Sequence, residues 1–498
     1  MISHLDRNLP RSDADLSTSQ LFADESLPAR WLRLWASRPS WPQVRDIDDR
    51  WISSAELEER SRNQARAFLA AGLEPGDRFV ICGPSSARLV QTYIAALRAR
   101  LVVVPINTAY TAAEVRRIVA DARPSAGLVD GEEQRRWISE ATRGRIQLFD
   151  RHVSVPPSGH DWSIDHAVPD DPALLIYTSG TTGLPKGARL THGNLLASAT
   201  AVQRAWQWST EDRLLLTLPL FHVHGLGVGL GGTLCCGSSL ELRPRFDMDD
   251  VLTRTRSGSI TMFFGVPTMY TRVAASGRAA ELSRLRLLVS GSAPLPASVA
   301  VEVAHAAQQM PLERYGMTET IMLTTNPIDG ERRAGTVGMP FPGVSLRLSE
   351  GDGSEIQVRG ANVMSEYYER PEATAEAFTD DGWFRTGDLG SFDDAGYLRI
   401  VGRSKELIIS GGFNVYPREI EERLLEFPGV TEVAVVGRPH PDWGEAVAAV
   451  IVASEAIDPG RLHAFARAGL APYKVPKTLE FVHALPRNAL GKIIRSQL

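Results

Sequence analysis

Cysteine is scarce in this 498-residue sequence, and its three copies, Cys82, Cys235 and Cys236, cannot build a disulfide framework. The adjacent Cys235-Cys236 pair lacks the CxxC spacing of a zinc or redox site and reads as apolar filler. Long apolar runs are missing as well. The longest, from Gly225 to Cys236, is short and broken by glycines, which excludes a spanning helix of about 20 residues. The opening residues MISHLDRNLPRSDADLSTSQ mix Asp and Arg without an apolar core, so no signal peptide is expected and a cytoplasmic protein is. Nor is either charge in excess: 54 Lys and Arg against 59 Asp and Glu give −5, too little to capture nucleic acid or an anionic membrane. What is present is ordinary globular composition, 43% hydrophobic and 23% charged, on a chain about three times a ~150-residue domain. At least two folding units are expected.

The chain changes texture twice. From Arg78 to Asn107 an apolar run, an amphipathic stretch and a second apolar run spell strand, helix, strand. Similar runs at Ala173–Thr178, Arg213–Thr217, Ser259–Phe264 and Arg286–Ser290 alternate with helix-compatible stretches, which predicts a largely parallel, helix-covered sheet of the α/β class. After Gly343 short alternating segments with turn residues predict a small antiparallel β-subdomain. From about Arg403 the mixture of IISGG, PREIEERLLEF, VTEVAVVGR and AAVIVAS predicts a compact α+β unit. The expected domains are therefore 1–402 and 403–498.

The most informative segment is YTSGTTGLPKG, residues 177–187, directly after the apolar run ALLI. Its glycines let backbone approach a ligand, while Thr178, Ser179, Thr181, Thr182, exposed N–H groups and Lys186 supply donors for phosphate oxygens. A Walker A loop would need Gly-Lys-Ser/Thr, but Pro185 precedes Lys186 and Gly187 follows it, which disfavours a P-loop NTPase. In FHVHG, His222 and His224 would point to one side of a strand, yet no further Cys or His cluster accompanies them to hold a metal.

This loop and six further segments in order resemble the acyl-adenylate-forming enzymes: LPLFHVHG, SGSAPL, ERYGMTET, GWFRTGDLG, GRSKELIISGGFNVYPREIE and LPRNALGK. The resemblance implies ATP and CoA as co-substrates, Mg2+ as cofactor, and a small C-terminal domain that rotates between two half-reactions. It places Thr178, Ser179, Gly180, Thr181, Thr182, Gly183 and Lys186 at the phosphates. Ser292, Ala293, Glu313, Tyr315, Gly316, Met317 and Thr318 fall around the nucleotide, with Tyr315 stacked on adenine. Asp388 and Arg403 fall at the ribose, and Glu319 with Thr181 at the magnesium. Lys492 is implied as the cation between the acyl carboxylate and the α-phosphate, Lys405 as the hinge, and Gly411-Gly412 as the lining of a thiol tunnel beside His222, a wall and gate.

Substrate choice must come from the acyl pocket. The segments FHVHGL, FFGVPTMYTRV, VSGSA and ERYGMTETIMLTTNPIDGERRAGTVGMPFPGV are most similar to malonyl-CoA synthetases, which implies malonate or methylmalonate. A second carboxylate needs a buried cation, because an unpaired buried charge costs several kcal/mol. Arg272, after VPTMYT at an expected helix start, is the candidate, with His222, Val223, Ser290, Gly291 and Met317 completing the pocket. A medium-chain fatty or aromatic acid is the alternative substrate. Two further alternatives are transfer to a separate carrier protein and an inactive nucleotide sensor. The sensor would lack Lys492, Glu319 or Lys186, all of which are present. With Leu498 close behind Lys492, no fused carrier domain is expected and CoA is the expected acceptor.

Overall fold

The computed structural model describes residues 24–149, 162–178, 185–350, 354–487 and 493–498. The chain is α/β, and it divides into two compact units, Met1–Leu346 with Val358–Phe384, and Arg347–Gln357 with Arg385–Leu498.

Among the described residues the first unit carries two sheets. One has nine strands, whose six central members, Leu312–Tyr315, Leu287–Ser290, Met262–Gly265, Arg213–Leu216, Ser239–Leu242 and Pro42–Arg45, run parallel. The other has seven, with Pro172–Thr178, Val102–Pro105, Arg78–Cys82, Ala126–Val129 and Gln147–Phe149 parallel, and the pair Lys186–Thr191 and Glu366–Tyr367 added antiparallel at one edge. Short runs such as VVVP, MFFG and LLVS are buried throughout rather than alternately, as strands covered by helices on both faces must be. Helix starts are encoded locally: Ser53 with Glu56, Thr111 with Glu114 and Thr191 with Asn194 form reciprocal capping boxes. Thr178, Ser290 and Tyr315 all stand at the carboxyl ends of strands, where open α/β sheets bind their ligands.

The second unit holds antiparallel strands, as the texture after Gly343 predicts. Phe384–Phe392 pairs with Leu398–Arg403, and Val430–His440 pairs along its length with Gly444–Ala453. The helices Pro417–Leu425 and Pro459–Gly469 bury Ile420, Leu424, Leu462 and Ala466 in a core with Val433, Val435 and Ile451. Compactness groups residues 385–402 with 403–498: the strand Leu398–Arg403 packs against the helix Pro417–Leu425, whose Arg418 donates to Ile400 O at 2.6 Å. Among the described residues, no helix is long and apolar enough to cross a membrane.

Candidate active site

Ser179, Gly180, Thr181, Thr182, Gly183 and Lys492 lie outside the described residues. The stems of the glycine-rich loop lie within them. Thr178 and Lys186 face each other across the antiparallel pair of strands, and Thr178 Oγ1 is 3.4 Å from the Lys186 carbonyl. Tyr177, one residue before, donates its phenol to Asp121 Oδ2 at 2.7 Å. Burial, then the Asp121 carboxylate, push its ionisation upward, so it stays a neutral donor.

Glu319 is buried, and its Oε1 accepts the phenol of Tyr367 at 2.9 Å. The ring of Tyr367 also carries Lys186, whose Nζ lies 5.2 Å from the centroid, a cation–π distance. One buried carboxylate beside a lysine suits Mg2+, which keeps waters and substrate phosphates as its other ligands rather than an all-protein cage. Among the described residues no group of three or more His, Cys, Asp or Glu could hold a metal by itself.

A second cluster surrounds Ser290-Gly291-Ser292. Glu313 ties this loop to the adjacent strand: its Oε1 accepts the N–H of Leu295 at 3.0 Å, and its carbonyl accepts Asn326 N–H at 3.0 Å. From the other side of the same strand Arg314 runs back beneath Gly291, and a Cβ on Gly291 would collide with its Nε and Cζ. Arg314 is 5% exposed, and its Nε and Nη2 have no hydrogen-bond partner among the described residues. Burial lowers its pKa to about 9, still cationic near neutrality. His224 donates to or accepts from Ser292 Oγ through Nδ1 at 3.1 Å and stacks on Phe264. Its Nε2, like Ser290 Oγ, is buried without a partner among the described residues. Burial, then the charge of Arg314, hold its pKa well below the ordinary value, so the imidazole is neutral. Four buried polar atoms without partners among the described residues, grouped about Ser290-Gly291-Ser292, describe a cradle for an anionic or strongly polar ligand.

Two expectations are corrected here. Arg272 is exposed on the helix Pro267–Ala275, so it is not the buried cation that a second carboxylate requires. His222 and His224 do not share a strand: His224 opens a π-helical stretch, His224–Leu230, and its N–H reaches back to His222 Nδ1 at 3.2 Å. His222 is half-buried and Val223 buried, while Met317 and Thr318 are half-buried in the tight turn that follows Tyr315 and Gly316. Ser292 is half-buried and Ala293 exposed.

In the second unit, Asp388 and Arg403 are directly paired residues of neighbouring strands, with Arg403 Nε 3.0 Å from Asp388 Oδ1. The carboxylate is buried and the guanidinium half-exposed. Asp388 N–H bonds Thr386 Oγ1 at 3.1 Å, which in turn donates to Ile356 O at 2.7 Å, fixing the TGD turn. Lys405 is exposed in the short 3₁₀ turn Ser404–Glu406. Gly411 and Gly412 both have positive φ, 58° and 81°, which closes the tight turn between Ile408–Ser410 and Phe413–Val415. Exposed Phe413 and Trp443 flank it, Phe413 stacked on Tyr473 at 4.5 Å and Trp443 on His440 at 4.2 Å.

Residues 33–368 match the AMP-binding enzyme family, and residues 419–492 match the AMP-binding enzyme C-terminal domain. The chain belongs to the AMP-binding enzyme family. Among its relatives, feruloyl-CoA synthase of an Amycolatopsis species is 38% identical over 467 residues, covering 90% of this chain and 93% of the relative. Malonate–CoA ligase of Arabidopsis thaliana is 35% identical over 498 residues, covering 90% of this chain and 82% of the relative. ATP-bound MatB of Rhodopseudomonas palustris has the same fold, with a TM-score of 0.88 at 38% identity over 94% of this chain and 98% of that one. This AMP-binding enzyme is thus an ATP-dependent, AMP-forming acid–CoA ligase, whose substrates are a carboxylic acid, ATP and CoA.

Sequence reasoning on this AMP-binding enzyme singled out neither Arg314 nor Tyr367, and it did not set His224 against Ser292. Two adjacent charged residues, Glu313 and Arg314, in a short strand buried throughout were the available signal.

Proposed function

We propose that the enzyme activates a short acid carrying a second anionic group, malonate or methylmalonate foremost, and releases it as the CoA thioester. The observation that carries this reading is Arg314, a buried guanidinium whose Nε and Nη2 have no partner among the described residues, set against the side-chain-free Gly291. A planar fork of donors matches a carboxylate bidentately. The neutral imidazole of His224 and the hydroxyl of Ser290 add donors or acceptors without a competing charge. An aromatic or alkyl acid would leave Arg314 buried and unpaired, at several kcal/mol.

In the first half-reaction the acid's reacting carboxylate oxygen forms a bond to the α-phosphorus of ATP as the bond to pyrophosphate breaks. In the second, the CoA thiolate forms a bond to the acyl carbon as AMP leaves. Lys186 and the hydroxyls of Thr178, Ser179, Thr181 and Thr182 would orient the polyphosphate, and Asp388 with Arg403 the ribose. Glu319, with Thr181, would hold Mg2+, which when bound neutralises phosphate charge. Lys492 would stabilise the charge that builds between carboxylate and α-phosphate. Rotation of residues 403–498 about Lys405 would then bring Gly411-Gly412 to the thiol, with His222 as a wall of its path.

The test is mass-spectrometric detection of acyl-CoA and AMP with MgATP, CoA and malonate, methylmalonate, sulfoacetate, acetate, octanoate or ferulate. The dianionic acids are expected to react best, and Arg314→Met to lose them selectively while Arg272→Ala keeps them. Preference for ferulate or octanoate would overturn the dianion reading, and AMP without acyl-CoA would point to a carrier protein as acceptor.

A further inference from the structure

The edge segment Glu366–Arg370 grips both stems of the glycine-rich loop. Tyr367 pairs with Ala188 in the antiparallel edge, the N–H of Tyr368 bonds Gly187 O at 2.8 Å, and Glu366 pairs with Arg189. Arg370 meets Asp121, the same carboxylate that receives the phenol of Tyr177. Backbone and side chains together fix the frame in which Tyr367 stands.

From that frame the side chain of Tyr367 has two attachments of different chemistry. Its hydroxyl donates to Glu319 Oε1 at 2.9 Å, and its ring face lies 5.2 Å from Lys186 Nζ. A carboxylate and an ammonium in one site attract each other and tend to close into a contact pair, which would offer neither to a phosphate. A phenol meets the anion with its hydroxyl and the cation with its π-face, so each is held without being neutralised. We propose that Tyr367 is a positioning residue for adenylation, setting the orientation of Glu319 toward the magnesium–polyphosphate and of Lys186 toward the phosphate oxygens. The proposal rests on the roles given above to Glu319 and Lys186. It assigns separable tasks to one side chain: the hydroxyl serves the cation site and the ring serves the lysine.

The test compares Tyr367→Phe, Tyr367→Leu, Glu319→Gln and the Tyr367→Phe/Glu319→Gln double variant in the full-length enzyme. Calorimetric ATP binding at low and at saturating Mg2+ is measured beside the Mg2+ dependence of AMP formation. Loss of one hydrogen bond to a charged group predicts that Tyr367→Phe raises the half-saturating Mg2+ about tenfold, with the KM for the acid unmoved. At saturating Mg2+ its ATP affinity stays within about twofold of the parent, because the ring still carries Lys186. Tyr367→Leu weakens ATP binding by a further factor of roughly five even there. The double variant is no worse than Glu319→Gln alone, the signature of action through one partner.

Tyr367→Phe with an unmoved Mg2+ requirement, or losses that simply multiply in the double variant, would overturn the assignment while leaving Glu319 in place. If Glu319→Gln itself leaves the Mg2+ dependence unmoved, the reading of Glu319 falls and this proposal falls with it. Unliganded melting temperatures of the variants separate either outcome from loss of folding.

Discussion

The guanidinium of Arg314 occupies the space that a side chain on Gly291 would need. Gly291 of the SGSAPL segment is therefore a packing requirement of the buried Arg314. Replacing Gly291 with Ala has to displace a buried, charged group, not the loose end of a surface chain. Gly291→Ala is expected to lower kcat/KM for the preferred acid at least tenfold, the effect of overpacking by about 1–3 kcal/mol. Steady-state kinetics across the acid panel check it, and a variant that retains malonate activity would place Arg314 outside the acyl site.

Asp388 and Arg403 contribute unequally. The carboxylate is buried and the guanidinium half-exposed, so the ion pair between them is worth little by itself. Asp388→Asn is expected to raise the KM for ATP by about tenfold through lost charge-assisted hydrogen bonds. Arg403→Gln should change it about threefold or less, and less still at high salt. Equal effects would mean that the arginine, not the aspartate, carries the nucleotide contact.

The aromatic pair beside Gly411-Gly412 offers a test that tells the two half-reactions apart. Trp443, whose carbonyl accepts the Gly411 N–H at 2.9 Å, is exposed and carries Lys477 at 5.2 Å over its ring. Trp443→Ala is expected to raise the KM for CoA roughly three- to tenfold by loss of a stacking surface. Acid-dependent ATP–pyrophosphate exchange should remain within twofold of the parent. Parallel losses in both assays would assign Trp443 to the stability of the unit instead.

His192 predicts a pH dependence of stability. It is fully buried at the start of the helix His192–Ala205, and neither ring nitrogen has a hydrogen-bond partner among the described residues. Burial, opposed by the nearby Asp171 and assisted by Arg100, lowers its pKa to about 4. The unfolded chain, with an ordinary histidine near 6.5, binds a proton that the native state refuses. Stability from this residue is therefore complete above about pH 6.5 and is lost as pH falls toward 4, amounting to roughly 3 kcal/mol. Urea unfolding from pH 7.5 to 4.5 measures it, and His192→Gln should remove about one proton from the slope.

Glu241 is fully buried yet bonded to Arg45 at 3.0 Å, to Arg243 at 3.1 Å and to Arg254. It fastens the strand Pro42–Arg45 to the edge of the parallel sheet through the register Arg45–Glu241. Glu241→Gln leaves three guanidinium groups facing a neutral amide and is expected to cost about 3–5 kcal/mol of unfolding free energy. A loss under 1 kcal/mol in urea unfolding would mean that Asp49 and Asp250 carry the charge balance.

The architecture was legible because burial on two faces leaves an unmistakable pattern, as in VVVP and LLVS. The strand that leads into the glycine-rich segment was legible from its apolar run, ALLI. Which arginine is buried was not. Arg272 follows VPTMYT and Arg314 follows PLE, and only the tertiary placement of their side chains decides which is swallowed. Arg314 sits in a strand covered on both sides, whereas Arg272 takes the solvent face of its helix. The same holds for Tyr367, whose partners at positions 186 and 319 are remote in sequence.

The second unit is discontinuous: Arg347–Gln357 is separated from Arg385–Leu498 by residues of the first. A ribosome therefore delivers Glu355 and Gln357 before it makes Arg385 and Arg399. At about 5–20 residues per second, the intervening stretch takes on the order of seconds to emerge. For that interval the strand Glu355–Gly360 has no neighbour from Phe384–Phe392 to pair with, and the nascent chain carries an open edge. A fragment begun at Arg385 would inherit the complementary edge for good, so the smaller unit is a product of chain order as much as of its own sequence.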